Sequence, residues 1–363
     1  MGLYSQHVVV IGGGIIGLLS ARELIRAGHR VLVLDKSDIG TESSWAGGGI
    51  LSPLYPWRYP DAVNDLAAWS QFRYQSLCQQ LHESSGIDPE WRQSGLLILN
   101  GNEAGVEPWK SRYGSESVWV EGLDSIREIE PRLGAGPESA LWMPHIAQVR
   151  NPRLLAAIRA DIEANGCEFR QNTEVTGLKV ESGQLLGIET VSGVIETQQA
   201  IIAAGAWTGD LLATCGVTLQ VRPVRGQMIL LKAEPDWLRR IVLQDQRYVI
   251  PRADGRILVG STLEEVGYDK STTAAARQEL LAAATRLIPG LADFPVETQW
   301  AGLRPGSVDG TPTISRVFGM QGLVICSGHY RNGLVLGPAS ARLAVDLLLD
   351  REPILDYAPY YLE

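Results

Sequence analysis

The chain has 363 residues, of which 45% are hydrophobic and 20% charged, and its formal net charge is −9. This length permits two domains or one large domain, and the composition is typical of a soluble globular protein. Because the chain is acidic and contains no cluster of Lys and Arg, we expect neither nucleic acid nor an anionic membrane as a partner.

The start of the chain and its cysteines favour a cytoplasmic location. No basic region or cleavage site typical of a signal peptide precedes the first glycines, and no apolar run is long enough to span a bilayer. The four cysteines are scattered and form no C-x-x-C pair. We therefore predict reduced thiols, with neither a disulfide framework nor a metal site.

The beginning of the chain predicts a βαβ unit. An apolar, β-branched run at 7–11 predicts a strand that is buried on both faces. The apolar spacing over 15–27 predicts a helix that ends at Gly28. Residues 30–34 predict a second strand, with Asp35 at its end.

Three glycines within this unit form the pattern G-x-G-x-x-G. Gly12 makes the tight turn, Gly14 lets a pyrophosphate approach the backbone, and Gly17 lets the helix pack close to the strand. The helix N-terminus favours phosphate, and Asp35 can accept hydrogen bonds from ribose hydroxyls. The pattern predicts a dinucleotide site rather than a purely structural turn, and it does not distinguish NAD from FAD.

The rest of the chain alternates between predicted helices and strands. The segment 40–53 is too rich in Gly and Ser to be an element, so we expect a loop that a ligand can approach closely. Helices are predicted over 61–85, 151–165 (with Asn151 as N-cap), 274–287 and 338–349, and from an N-cap at Asp124 to about Pro131. Strands are predicted at 95–99, 167–170, 174–180, 185–191, 194–197, 200–203, 227–232, 248–251, 256–260, 296–304 and 323–326.

Five motifs along the whole chain resemble the FAD-dependent amine oxidases of the D-amino acid oxidase type. They are VVVIGGGIIG, SSWAGGGILSP, IIAAGAWTGDLL, AGLRPGSVDGTP and SGHYRNGLVLGP. The last two motifs and the short length make the chain most similar to the glycine oxidases of thiamine biosynthesis. There is no second G-x-G-x-x-G, which a reductase that also binds NAD(P)H usually needs, so we expect one dinucleotide, FAD.

The resemblance implies an α/β fold, α+β overall. It consists of a Rossmann-like FAD-binding domain with an inserted substrate-binding domain on a mixed or antiparallel sheet. The implied FAD-binding domain comprises 1–80, 146–217 and 301–363, and the substrate-binding domain 81–145 and 218–300. The family also suggests a homotetramer. Because LRPGSVDGTP contains no cysteine where sarcosine oxidases attach their flavin, we predict non-covalent FAD.

The resemblance also implies which residues hold FAD, besides the glycines of the first turn. Ile15 and Ile16 lie over the pyrophosphate, Asp35 and Lys36 lie at the ribose, and Val175 offers its backbone to the adenine. The pyrophosphate and flavin are held by Ser43, Ser44, Gly48, Gly49 and Ile50, and the flavin ring by His329, Tyr330, Arg331, Asn332, Gly333, Leu334 and Val335. Independently, a turn that leads into a helix N-terminus would stabilise negative charge on a reduced flavin. The alternative is a structural loop with a buried His329.

Arg304 is the predicted substrate residue, because an arginine fork binds a carboxylate bidentately and remains charged. Tyr248 would add a hydroxyl to the same carboxylate, and Arg331 would supply a second positive group. The alternatives are an ordinary loop salt bridge for Arg304 and a core position for Tyr248. The resemblance further implies that Ile50 and Leu263 form the apolar pocket wall, and it leaves the role of Gln246 open.

The implied reaction is oxidative deamination of glycine, or of small amines and D-amino acids such as sarcosine and D-alanine. The Cα hydride moves to flavin N5, the imine is hydrolysed to glyoxylate or another 2-oxo acid and ammonia, and O2 becomes hydrogen peroxide. The absence of a His/Asp or Cys/His pair fits a mechanism based on orientation. The alternatives are a D-amino acid dehydrogenase that reduces a quinone, an NAD-dependent dehydrogenase and a non-enzymatic flavin-binding protein. The ranking of glycine, sarcosine, D-alanine and D-proline stays open.

Overall fold

The computed structural model describes residues 7–100 and 103–362, which fold around two β-sheets. The prediction that the chain begins without a signal peptide falls partly on residues 1–6, which lie outside the described residues. The helices are α1 (Ile15–Arg26), α2 (Ser43–Ala46), α3 (Asp61–Ser85), α4 (Val106–Tyr113), α5 (Leu123–Ile129), α6 (Asn151–Ala164), α7 (Thr208–Ala213), α8 (Ala274–Leu287) and α9 (Gly333–Leu348). In the described ranges, none of them is both long and apolar enough to cross a membrane.

The first half of the chain largely alternates strands with these helices, and the second half contains runs of consecutive strands. They are β1 (His7–Ile11), β2 (Arg30–Leu34), β3 (Leu96–Leu99), β4 (Val118–Glu121), β5 (Ser139–Met143), β6 (Glu168–Arg170), β7 (Val175–Glu181), β8 (Gln184–Thr190), β9 (Gly193–Glu196), β10 (Gln199–Ile202), β11 (Arg222–Lys232), β12 (Ile241–Gln244), β13 (Arg247–Pro251), β14 (Arg256–Gly260), β15 (Val296–Gly306), β16 (Thr313–Val317) and β17 (Met320–Ser327).

The first sheet has the strand order β6-β2-β1-β10-β17-β8-β7, with β16 paired to β17 and β9 to β8. Its neighbouring strands β6, β2, β1, β10 and β17 are parallel. Val8 and Val10 of β1 pack on the side of α1, α3, α6 and α9. Val9 and Ile11 pack on the other side, against β7 to β9 and α7. The alternation confirms that β1 is buried on both faces, as its continuous apolar run predicts.

The second sheet has the order β15-β11-β14-β13-β12-β3-β5-β4. Its pairs are antiparallel except for β12 and β3, which are parallel. The predicted α/β fold with a second, mixed sheet is therefore confirmed. One face packs under α8 through Leu280 and Leu287. The other face carries Met228 and Tyr248. Helix α3 continues across the predicted domain boundary at 80/81, and strand β15 continues across the one at 300/301. The division into two domains stays a prediction.

Helix α9 begins at Gly333, five residues before the predicted start, so Pro338 lies inside the helix. Proline is favoured at the first helical position, which is why the sequence predicts the later start. The Pro338 nitrogen cannot donate to the Leu334 carbonyl, and the hydroxyl of Tyr74 donates to that carbonyl instead. The next amide, that of Ala339, donates to Ser70 Oγ at 3.0 Å. Two side chains of α3 thus compensate for the interior proline.

Three other local predictions are wrong. The Gly- and Ser-rich segment contains the short helix α2 rather than only a loop. Asn151 was predicted as the N-cap of α6, but it is the first residue of the helix and Arg150 is the N-cap. The side-chain Nδ2 of Asn151 donates to the Ser44 carbonyl at 2.7 Å, so this side chain does not cap the helix. Asp124 lies in the first turn of α5 rather than at its cap, a position where a carboxylate still favours the helix dipole. The sequence did not predict α4, α7, β4, β5, β12 or β16.

Candidate active site

A cavity of about 490 Å³ lies between the carboxyl ends of the parallel strands and the second sheet. Ligands of open α/β sheets bind at this end of the strands. The ends of β1 and β17 contribute Ile11 and Ser327, and the second sheet contributes Met228 and Tyr248. Of the residues that the sequence assigns to FAD, those lining the cavity are Gly12, Gly14, Ile15, Ile16, Asp35, Lys36, Ser43, Ser44, Gly48, Gly49, Ile50, Val175, His329, Tyr330, Arg331, Gly333, Leu334 and Val335. Gly17 and Asn332 are not among the lining residues.

The first glycine turn allows no side chain at two of its positions. Gly12 has a φ of +107°, and a Cβ there would lie 2.3 Å from the carbonyl oxygen of Ala203 on the neighbouring chain segment. A Cβ at Gly17 would lie 1.8 Å from the Gly12 carbonyl oxygen. Gly17 therefore sets the distance between α1 and the turn, while Gly14 lines the cavity itself.

Asp35 shapes the cavity beside the end of β2. Its Oδ2 accepts a hydrogen bond from the Gly13 amide at 2.7 Å, and its Oδ1 accepts one from the Ser37 amide at 2.8 Å. Burial raises the pKa of the Asp35 carboxyl, and the two amide hydrogen bonds oppose this shift. The Lys36 ammonium lies 3.5 Å from the centre of the Trp207 ring, and burial lowers its pKa. Trp207, which our sequence analysis did not single out, also lines the cavity.

The start of α2 is tied to the N-terminus of α1. Ser44 Oγ accepts a hydrogen bond from the Ile15 amide at 2.9 Å. This serine satisfies one of the N–H groups that a helix end leaves without an intrahelical partner. The Asn151 Nδ2 donates to the Ser44 carbonyl from the other side, and the buried Asn151 Oδ1 has no partner in the part of the chain that the structure describes.

The glycines after α2 are held by Arg252, a residue that the sequence did not single out. Its Nη2 donates to the Gly48 carbonyl at 2.8 Å, and its Nη1 donates to the Val149 carbonyl at 3.0 Å and to Gln148 Oε1 at 2.7 Å. Burial lowers the pKa of the Arg252 guanidinium to about 10. A Cβ at Gly49 would lie 2.1 Å from the Val149 carbonyl oxygen, so this stretch passes too close to its neighbour for a side chain.

The turn between β17 and α9 presents buried polar atoms that have no hydrogen-bond partner within the described ranges. They are His329 Nε2, Arg331 Nη2 and Asn332 Nδ2. Burial lowers the pKa of His329 to about 3, so its imidazole is neutral. The first turn of α9, which contains no acidic residue, follows directly and lines the cavity. Unpaired donors and a positive helix end fit the polar edge of the flavin of FAD.

The Arg304 side chain is half-buried at the cavity and its guanidinium is held by neutral oxygens. Its Nη2 donates to Ser261 Oγ at 2.7 Å, and its Nη1 donates to the Thr262 carbonyl at 3.2 Å. Within residues 7–100 and 103–362, no carboxylate forms an ion pair with it. Burial lowers the pKa of Arg304. A buried cation without a counter-ion is costly, so this position favours an anionic ligand.

Tyr248 and Arg331 line the same cavity as Arg304. Among residues 7–100 and 103–362, the Tyr248 hydroxyl has only a long contact to Met228 Sδ, at 3.5 Å, so it can donate to a ligand. Arg331 Nη1 donates to Gln246 Oε1 at 3.0 Å. This contact places Gln246, whose role the sequence analysis leaves open, beside the site.

Three further positions define the walls. Ile50 lines the cavity as expected, but Leu263 is 37% exposed and is not among the lining residues. Gly226, which the sequence did not single out, faces Arg304: a Cβ there would lie 2.0 Å from Nη1. In the described part of the chain, no three His, Cys, Asp or Glu side chains are placed to hold a metal ion.

Comparison with known proteins identifies the family. The model of the FAD dependent oxidoreductases (DAO) matches residues 7–347. The chain is 48% identical over 358 residues to a glycine oxidase of Pseudomonas putida, with 98% of both proteins covered. It is 32% identical over 365 residues to a bifunctional protein ThiO/ThiG of Trichormus variabilis, which covers 98% of this chain and 55% of that protein.

A solved structure agrees with these relatives. The crystal structure of a glycine oxidase from Geobacillus kaustophilus matches with a TM-score of 0.93 at 29% identity, and 98% of both chains is covered. Because the family model matches nearly the whole chain, this protein belongs to the FAD-dependent oxidoreductase family and is an enzyme that uses FAD.

Proposed function

We propose that this enzyme oxidises glycine to glyoxylate and ammonia with O2 as acceptor and hydrogen peroxide as the second product. Small amines and D-amino acids such as sarcosine and D-alanine are further substrates in this proposal. The observation that carries it is the Arg304 guanidinium, which lines the cavity and lacks a carboxylate partner among the described residues. An α-amino acid supplies that carboxylate. The names of two full-length relatives support glycine as the substrate.

The residues that would hold FAD are the glycine turn at 12–17, the segment 43–50, Asp35, Val175 and the turn at 329–335. When bound, FAD supplies a hydride acceptor and a route for electrons to O2. We propose that it binds non-covalently. The cavity-lining Cys326 supports this, because burial raises the pKa of its thiol and its Sγ is directed to the Ser340 carbonyl at 3.6 Å. A buried, protonated thiol is a poor nucleophile.

The side chains of the site bind and orient the amino acid. Arg304 donates the N–H groups that remain free to the substrate carboxylate, and the Tyr248 hydroxyl adds a third donor. Arg331 adds positive charge on the cavity side of α9. Fixing the carboxylate fixes Cα, and such orientation contributes much of the rate when no protein base takes part. Water hydrolyses the imine product to glyoxylate and ammonia.

We also propose a role in forming the thiazole of thiamine, as a homotetramer in the cytoplasm. The relative that joins ThiO to ThiG in one protein supports the thiamine link. The tetramer follows from the family resemblance. Deletion of the gene would create a requirement for the thiazole precursor if the enzyme serves this route, and sedimentation would give four times the 39.5 kDa chain mass.

The proposal is tested by turnover of glycine in air, with glyoxylate and peroxide measured in equal amounts. Arg304→Ala is expected to keep its FAD and lose about 100-fold or more in kcat/KM, because truncation of a buried, charge-paired group costs about 2–5 kcal/mol. Arg277→Ala, which removes an exposed arginine from α8, is the control. Unchanged turnover in Arg304→Ala would remove the substrate assignment. Reduction by glycine with slow reoxidation in air would indicate a dehydrogenase instead.

A further inference from the structure

Ser261 lies directly after β14, fully buried, and makes the shortest of the Arg304 contacts described above. Its backbone is fixed as well, because Arg247 Nη1 donates to the Ser261 carbonyl at 2.9 Å. The backbone of Ser261 is thus held in place, and its buried hydroxyl accepts the hydrogen bond from Arg304 Nη2.

The neighbouring contact of Arg304, the Thr262 carbonyl, is fixed in a similar way. Thr262 Oγ1 accepts a hydrogen bond from the Gln227 amide at 2.9 Å and donates to Glu264 Oε1. Glu264 is in turn paired with Arg225, whose Nη2 lies 2.6 Å from Oε2. The acidic group in this part of the fold is thus already neutralised, and Arg304 meets only uncharged oxygens.

This arrangement has a chemical consequence for the arginine. Each terminal nitrogen of the guanidinium carries two N–H groups, and one on each is used by Ser261 or Thr262. The remaining N–H groups are free for a carboxylate. Neutral acceptors fix the plane of the guanidinium without cancelling its charge, whereas an Asp or Glu in the same place would compete with the substrate.

We propose that Ser261 is a positioning residue that aims the Arg304 guanidinium at the substrate carboxylate, an inference that rests on the proposed function. Loss of the Ser261 hydroxyl frees the guanidinium to rotate and leaves one of its buried N–H groups unpaired. A hydrogen bond to a charged group contributes enough free energy that its loss is expected to weaken carboxylate binding by about 10-fold.

The test uses the purified holoenzyme and two ligands that share a carboxylate. Acetate binding is followed by the change in the flavin spectrum, and glycine oxidation is followed by peroxide release. For Ser261→Ala we expect the acetate Kd and the glycine KM to rise about 10-fold, while kcat stays within about threefold, because the lost interaction holds substrate and transition state alike.

The matched control is Ser20→Ala in α1. The Ser20 hydroxyl is equally buried and has no hydrogen-bond partner among the described residues, and it belongs to α1, whereas Arg304 belongs to β15. Both variants are expected to keep their FAD content, so a loss of acetate binding confined to Ser261→Ala reports on the arginine. If Ser261→Ala fails to fold, Ser261→Cys keeps the side-chain volume with a weak acceptor, and the same rise in acetate Kd is expected.

Acetate Kd and glycine KM within twofold of the wild type would overturn the positioning role. The proposed function fails separately, if glycine neither reduces the wild-type flavin nor competes with acetate. In that case acetate binding by the Ser261 variants still decides whether the serine positions the arginine.

Discussion

The Tyr74 hydroxyl of α3 donates a hydrogen bond to the Leu334 carbonyl in the first turn of α9, 260 residues further along the chain. Pro338 leaves that carbonyl without a helical donor. Because Leu334 lines the cavity, the pair links the helical layer to the site. Burial raises the pKa of Tyr74, so its hydroxyl stays protonated and available as a donor.

Tyr74→Phe is expected to lower the free energy of unfolding by about 1–3 kcal/mol, because it leaves a buried carbonyl unpaired. Urea unfolding of the holoenzyme measures this change. Tyr357→Phe, at an exposed tyrosine, should stay within about 0.5 kcal/mol of the wild type. Equal stability of the two variants would show that another donor, such as water, replaces the tyrosine.

Arg252→Gln is expected to weaken FAD retention, since the Gly48 and Val149 carbonyls each lose a charged donor. The fraction of flavin released on dilution, read from its fluorescence, should rise by about 10-fold. The control is Arg256→Gln, which removes another arginine of the same hairpin. The ion pairs of Arg256 with Asp254 and Glu297 lie at the surface, where such pairs contribute little to stability. The same FAD release from both variants would mean that Arg252 does not support the cofactor loop.

Gly226→Ala is expected to lower kcat/KM for glycine by about 100-fold with FAD retained. The new methyl group would meet Arg304 Nη1, so the guanidinium must leave its hydrogen bonds to Ser261 and Thr262. Gly105→Ala serves as the control for an added methyl group, because a Cβ there would lie 3.3 Å from its nearest neighbour, Trp57 Cβ, rather than 2.0 Å from an arginine nitrogen. Near-normal glycine turnover in Gly226→Ala would show that the arginine has room to move without loss of binding.

His329 should make the protein less stable in acid. Its pKa is lowered from an ordinary value of 6.5 to about 3 in the folded state. The unfolded chain therefore binds the proton first, and stability that is fully present above pH 6.5 is lost as the pH falls towards 3. The contribution is at most about 1.4 kcal/mol per pH unit. The unfolding free energy of the wild type relative to that of His329→Gln should therefore fall as the pH is lowered over this range. Parallel curves of unfolding free energy against pH for the two proteins would contradict a neutral, buried imidazole.

The sequence predicted the parts of the fold that depend on local pattern. The β1–α1–β2 unit follows from apolar periodicity and the glycine spacing, and helix α8 has the predicted bounds. The predicted start of α9 was wrong, because Pro338 is accommodated inside the helix by a hydrogen-bond donor of α3, far away in the chain.

Part of the site could not be predicted for the same reason. Gly226 meets Arg304 only because β11 and β15 pair in a register that sets Val224 opposite Arg304. Ser261 and Arg252 reach their partners through contacts between distant segments. No local pattern marks a buried arginine or serine as a residue that holds another. The motif residues were accessible to sequence reasoning, and their supports were not.

The most direct measurement is the visible spectrum of the purified holoenzyme, recorded without oxygen before and after addition of glycine and again after air is readmitted. The account predicts that glycine bleaches the flavin absorption and that air restores it with release of peroxide. A flavin whose absorption is unchanged at saturating glycine would contradict the proposed reaction.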